Sequence, residues 1–375
     1  MSAQDDWQRE VFRELGGAVE TAGTAGTAGT AEAAAGPVPQ PQPVQPHSVQ
    51  PQPVHQQPPQ PPRLPPPTPV SVPVVAPELA EARGRARHGD SIPQRAGRAM
   101  RRLLLSSTAQ DTAVATHTAQ VIQQPITTGR QIAVTSIRGG AGKSTVAALL
   151  SLTYAHYRSD PVLTVEADPA LGPLPLRLGA AEVRWSCADL ARIIDPSMQI
   201  TDITGYLVRL SSGGWLLPGS QGAVGAQLDV DIYRIVMTSL RRYFGTTIVD
   251  CETLPAELAR TALTTTQARV LVTPATVEGL AATRSVLDWV GGVHRSLLPT
   301  TVVALTHTSP DMAVDERRAA EHLGVGGARV VSLPYDRHLA AGGQIQSALL
   351  GQATREAAAQ LAAEAMDRAV SRGRR

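Results

Sequence analysis

The sequence predicts an α/β fold, a mostly parallel sheet with helices on both faces, and three observations predict it. From Arg130 to near residue 370, short apolar runs alternate with stretches of helical periodicity. That alternation is the signature of a parallel sheet whose strands are linked by crossover helices. A glycine-rich turn, S-I-R-G-G-A-G-K-S-T over Ser136–Thr145, stands between the first apolar run and the first helical stretch. Two later apolar runs end in carboxylates, Glu166 and Asp168 after one, Asp250 and Glu252 after the other. Ligand sites of open parallel sheets lie beyond the carboxyl ends of the strands, where all three features fall.

The elements follow in order. Strands are predicted at Ile132–Ile137, Val162–Val165, Trp215–Leu217, Thr247–Val249, Val270–Val272, Thr301–Leu305 and Val330–Ser332. Each is a short Val/Ile/Leu/Thr-rich run of the kind buried on both faces. Helices are predicted near 144–157, 188–194, 230–243, 256–265, 278–290, 313–323 and 352–370, where apolar residues recur at helical spacing. The last is rich in Ala, with Leu361 and Met366 among its few large apolar residues. An Ala stripe buries little area, so this helix is expected to dock on its own domain rather than on a lipid surface.

The glycine turn carries the chemistry. Gly139, Gly140 and Gly142 allow backbone conformations closed to other residues. Successive N–H groups, Ala141 among them, then point inward at phosphate oxygens, aided by the positive end of the following helix. Lys143 is placed to reach the β- and γ-phosphates, Ser144 to offer its hydroxyl to Mg²⁺, and Thr145 to close the loop. Lys143 is the only Lys in a chain with 34 Lys plus Arg. A compact, rotatable point charge stands where phosphate chemistry requires one. Mg²⁺ takes oxygen ligands, so Asp250 and Asp168 are read as its carboxylate neighbours. Asp168 is also read as the group that orients an attacking water. Capping of the next helix or turn is the plainer role for a strand-end Asp.

The N-terminal third has a different composition. Residues 1–17 present Trp7, Val11, Phe12 and Leu15 near one helical face, either a frayed end or a docking segment that folds on a partner. Thr21–Gly29 repeats T-A-G, and more than half of the 30 prolines crowd between Pro37 and Pro77. This reads as a disordered linker over 18–77, extended and polyproline-like. Residues 78–127 form a basic, partly helical segment, with Arg83, Arg85, Arg87, Arg95, Arg98, Arg101 and Arg102 preceding Leu103–Leu105. Its partner is either an anionic surface (membrane lipid, DNA, acidic protein) or the following domain, against which the leucines would pack. Residues 128–375 form the α/β domain.

Composition bounds the rest. The apolar fraction of 42% supports a sizeable core, and with only 3% aromatics that core must be Val, Leu, Ile and Ala. A net charge of +2 is too small to argue a global polyanion partner, although the charge is unevenly spread. Cys187 and Cys251 form no close-spaced metal or disulfide framework. Asp5, Asp6 and Glu10 stand where a signal peptide would be basic and then apolar, and no apolar run approaches the ~20 residues of a membrane span. A cytoplasmic location is expected, with any membrane contact peripheral.

R-G-G-A-G-K-S-T, then V-E-A-D-P, then I-V-D, in that order and spacing, resembles the ParA/MinD family of deviant Walker A P-loop ATPases. The resemblance covers about residues 130–370, including W-L-L-P-G-S at Trp215–Ser220 and L-P-Y-D at Leu333–Asp336. It implies ATP and Mg²⁺ as ligands, slow ATP hydrolysis, and homodimers closed face to face around two nucleotides. It also implies that Pro334 and Tyr335 lie beside the adenine, and that the first basic residue of the loop, here Arg138, reaches the partner's nucleotide. Arg138 stands where the family has Lys, Glu166 where it has Asp, and Cys251 and Glu252 where it has Thr and Pro. The family's adenine-side Asn is absent from Leu305–Ser309. The Pro-rich N-terminus, the segment D-S-I-P-Q-R-A-G-R-A-M-R-R-L and the ending L-P-Y-D-R-H-L-A-A-G-G resemble MinD-like proteins of actinobacteria associated with type VII (ESX) secretion. The resemblance thus implies an ATP-dependent dimer switch acting on a secretion machine, with a protein partner met through the N-terminal arm. The rival expectations are a DNA-partition ATPase, holding DNA non-specifically, and a nucleotide-binding scaffold with decayed hydrolysis.

Overall fold

The computed structural model describes residues 68–371, apart from 82–83, 85, 92, 94–107, 171 and 312–313. The 1–17 helix, the linker up to residue 67, most of the basic segment (Arg83, Arg85, Arg95, Arg98, Arg101, Arg102 and Leu103–Leu105) and Arg372, Arg374 and Arg375 lie outside the described residues.

The strands are β1 (Val72–Pro73), β2 (Arg130–Ser136), β3 (Val162–Ala167), β4 (Glu182–Val183), β5 (Val208–Arg209), β6 (Trp215–Leu217), β7 (Thr246–Cys251), β8 (Ala268–Pro274), β9 (Thr301–Thr306) and β10 (Arg329–Leu333). Eight of them form one sheet in the order β10-β9-β8-β2-β7-β3-β6-β5, parallel throughout except for the edge pair β5–β6. β1 and β4 pair separately and antiparallel. All seven predicted strands are present. β2 sits at the centre, between β7 and β8. From it the chain runs first to the β3 side and later crosses to the β8 side. That reversal leaves a crevice at the carboxyl end of β2, where the glycine turn begins.

Helices cover both faces. Lys143–Tyr157, Thr108–Ile122 and Gln352–Ser371 lie on one, and Val230–Leu240, Glu257–Thr265 and Val277–Val293 on the other. Each face has its own core of Val, Leu, Ile and Ala, with Tyr154 and Phe244 as rare buried aromatics. Burial of the Tyr154 hydroxyl is compensated by donation to Ala362 O (2.8 Å). The Ala-rich helix Gln352–Ser371 buries Ala357, Ala358, Leu361, Ala362, Met366 and Ala369. Its small side chains let the helix approach closely, and the two large ones fill what remains. No described helix is long and apolar enough to cross a membrane.

Element ends differ from the sequence reading where caps decide them. Cys187–Ile193 starts one residue early because Ser186 caps it, with Asp189 returning the bond in a capping box. Glu316–Leu323 starts late because Asp315 accepts from Arg317 N and Arg318 N. The 230–243 expectation stops at Leu240.

Candidate functional site

The turn after β2 is held from three sides. Ser136 Oγ donates to Arg138 O (2.9 Å), Leu254 N to Ser136 O (2.8 Å), and Thr306 Oγ1 to Ala141 O (2.9 Å). Gly140 (φ 77°) and Gly142 (φ 91°) adopt the left-handed conformation that explains glycine at both positions. A side chain at Gly139 or Gly140 would project into open space. Gly142 begins the helix Lys143–Tyr157 with no side-chain cap, so its first N–H groups remain available to an anion. Ser144 is buried at the first turn, Thr145 half-buried, and Arg138 exposed at the loop's outer lip.

Four carboxylates gather around one ammonium. Lys143 Nζ donates to Asp168 Oδ2 (2.8 Å) and lies 3.5 Å from Asp250 Oδ1. Burial lowers the lysine's pKa, but the charges of Asp250 and Asp168 outweigh burial and leave it raised. Asp250 and Glu166 are register neighbours on β7 and β3, and both are buried. Burial and proximity each resist ionising the pair. Glu166 is pushed up to about 8, first by burial, although Gly219 N donates to its Oε2 (3.0 Å). Asp250 is pushed up to about 6 by burial, opposed by Lys143 and the Ser144 hydroxyl. Glu252 is also raised, by burial and then by the charge of Asp168.

The residues present fit a divalent cation beside phosphate. The Asp250 carboxylate is fully buried beside the Ser144 hydroxyl, with one oxygen 3.5 Å from the Lys143 ammonium. Hydroxyl and carboxylate oxygens are the donors that Mg²⁺ selects. Among the described residues no group of three His, Cys, Asp or Glu is placed to hold a metal unaided. A metal here would complete its shell with phosphate oxygens and water.

Pro334 and Tyr335 follow β10 and are half-buried, two strands out from β8 and three from β2. Between them and the loop lies the end of β9, Thr306–His307, whose His307 N donates to Leu333 O (3.0 Å). Lys143, Asp168 and Asp250 are therefore brought together directly, whereas Pro334–Tyr335 stand at the end of β10, separated from the loop by β9 and β8 in the sheet order. Sequence reasoning missed Thr306, which locks Ala141; its only signal was a polar residue ending an apolar run. It also missed Gly219 and Ser220 as supports of the Glu166–Pro169 segment, since that contact joins positions far apart in sequence.

Strand order, glycine turn and strand-end aspartates give an open, mostly parallel α/β sheet with a phosphate-loop-like turn at its switch point. No protein-family model matches the chain. It is 30% identical over 254 residues to the ESX-1 secretion-associated protein EspI of Mycobacterium tuberculosis, in strains CDC 1551 / Oshkosh and H37Rv. That match takes in 65% of this chain and only 37% of the length of those relatives. Among solved structures it is similar to the MinD cell division protein of Aquifex aeolicus, at 17% identity over 62% of this chain and 96% of that one, with a TM-score of 0.48. A ParA family ATPase from Chlorobium tepidum gives 15% identity, 56% and 85% coverage, and a TM-score of 0.47.

Proposed function

We propose that this chain is a Mg²⁺-dependent ATPase that switches between monomer and homodimer and so regulates a secretion machine. One observation carries the reading. The lone Lys sits beneath a glycine turn, between an aspartate that it hydrogen-bonds and a fully buried aspartate whose carboxylate it pairs with at 3.5 Å. Such a centre is built to receive phosphate and a hard cation together.

In this reading the N–H groups of Gly140–Thr145 and the Lys143 ammonium bind the β- and γ-phosphates. Ser144 and Asp250 hold Mg²⁺, with Asp168 nearby. The metal, when bound, neutralises charge that develops on the phosphate oxygens. Phosphate draws Lys143 from Asp168, and the freed carboxylate orients water toward the γ-phosphate. Exposed Arg138 is free to reach the nucleotide of a second copy, a contribution of roughly 10³–10⁵ in rate for such an arginine. Pro334 and Tyr335 border the base. The likeness to an ESX-1 secretion-associated protein supports a secretion-associated protein partner; in this reading that partner is met through the N-terminal arm, and the chain works in the cytoplasm.

Light scattering of the purified chain with ADP, with ATP, and with ATP on Asp168→Ala tests the reading. ATP should double the mass, and the variant should hold the dimer. A mass that never responds while nucleotide binds would remove the switch and leave a nucleotide-stabilised scaffold.

A further inference from the structure

Residues 69–74 and 87–90 precede the eight-stranded sheet in sequence, and each stretch is fastened to the domain. The upstream fastening is small. β1 pairs with β4 over two residues, and Val74 N donates to Ala181 O (3.0 Å). Arg184 Nε donates to Pro69 O (2.9 Å), and Gln221 Nε2 to Val70 O (2.8 Å) and Arg184 O (2.7 Å). Pro69 and Pro73 have no N–H, so the ladder cannot lengthen to strengthen itself.

The downstream fastening is tighter. Gly89 N donates to Leu349 O (2.7 Å), and its α-carbon approaches Asp336 and Gly351 so closely that no side chain fits. Asp90 Oδ2 accepts from Gln352 N (3.2 Å), at the start of the core helix Gln352–Ser371. His338 Nε2 accepts from Gln346 N (2.9 Å), which leaves its Nδ1–H to donate to the backbone carbonyl of Arg87.

The upstream fastening is wired to the phosphate centre. Asp168, bonded to Lys143, is followed by Pro169, whose carbonyl accepts from Ser220 Oγ (2.8 Å). Ser220 is followed by Gln221, which holds Val70. On the other side of the same turn, Gly219 N holds Glu166. The backbone of Gly219 packs on Glu166 and Pro169 tightly enough that a Cβ would meet Glu166 O at 2.8 Å. The two segments therefore shift as a unit or separate.

We infer that residues 69–74 are a strap that is released when a nucleoside triphosphate occupies the glycine turn, while residues 87–90 stay fastened. Occupancy is thereby passed to the chain upstream of residue 68. The inference rests on the nucleotide-binding reading above. Phosphate competes with Asp168 for the Lys143 ammonium, and the Asp168–Pro169 backbone is the first to respond. Ser220 and Gln221 carry that displacement to Val70, where a handful of bonds at the surface hold the strap. The downstream fastening sits on a helix anchored in the core and stays put. Two discrete arrangements of one segment, biased from the phosphate site, are what coupling of this kind requires.

Hydrogen exchange on the full chain tests this, without nucleotide, with Mg-ADP and with Mg-ATPγS, with binding read by calorimetry on the same samples. The Val74 amide should exchange ~10-fold faster with Mg-ATPγS, and the Gly89 amide should not change. Ser220→Ala, which removes the link to Pro169, should bind nucleotide normally and lose the Val74 response. Binding with unchanged Val74 exchange overturns the strap and leaves the nucleotide reading intact. A Ser220→Ala protein that responds like the wild type overturns the proposed relay. Absence of binding overturns the nucleotide reading, and the strap falls with it.

Discussion

Replacing Glu166 by Gln should change how stability depends on pH, by an amount the buried carboxylate pair sets. Glu166 is raised from the ordinary 4.5 to about 8, chiefly by burial. The folded protein therefore keeps a proton that the unfolded chain releases above pH 4.5. The stabilising contribution is complete below that value, declines by about 1.4 kcal/mol per pH unit, and is gone once pH passes about 8. Asp250, raised to about 6, contributes a slope of the same sign that has flattened by roughly pH 6.5. Between about pH 6.5 and 8 the wild type should lose about 2 kcal/mol through Glu166. Gln keeps the oxygen that accepts from Gly219 N and cannot ionise. Its unfolding free energy should pull ahead of the wild type's by that amount across the window. Urea unfolding followed by tryptophan fluorescence at both pH values measures the difference. Parallel pH dependences for the two proteins would refute the claim that Glu166 is neutral in the folded state.

Arg138→Ala should lower ATP turnover by roughly 10³-fold or more with little change in nucleotide affinity, read by phosphate release beside a binding titration; unchanged turnover would exclude a finger role. Ser186→Ala removes the oxygen that accepts from Asp189 N and breaks the capping box, and should cost about 1 kcal/mol in urea unfolding. Leu361→Ala should cost about 2–5 kcal/mol, because Leu361 is fully buried in the Ala-rich helix. A loss below 0.5 kcal/mol, as for a surface position, would contradict the docking of that helix on its own domain.

Much of this molecule was legible in the sequence because its signals are local. A buried parallel strand such as Arg130–Ser136 announces itself as an apolar run, and the glycine turn follows it within a few residues. Asp168 and Asp250 were legible because strand ends in a parallel sheet gather at one edge. What was not legible depends on partners distant in sequence. β1 and β4 are two residues each, with no period to detect, and form only because Val72 finds Val183. Leu174–Leu178 is one turn, closed by Gly179 in the left-handed conformation. Glu166 read as a departure from the family's Asp. Its raised pKa comes chiefly from burial, with Asp250 adding to it from a register position that only the sheet order reveals.

One consequence of the lone lysine lies in covalent chemistry. Acylating reagents, acetyl transfer and isopeptide-forming ligases all seek a side-chain amine, and this chain of 375 residues offers them a single one. That amine is 11% exposed and kept protonated by Asp168 and Asp250, hence a poor nucleophile. Surface tagging through lysine is thereby closed to this protein unless the tag enters the phosphate site itself. An amine-reactive probe would accordingly report on that one position, apart from the chain's α-amino group, with no background from other side chains.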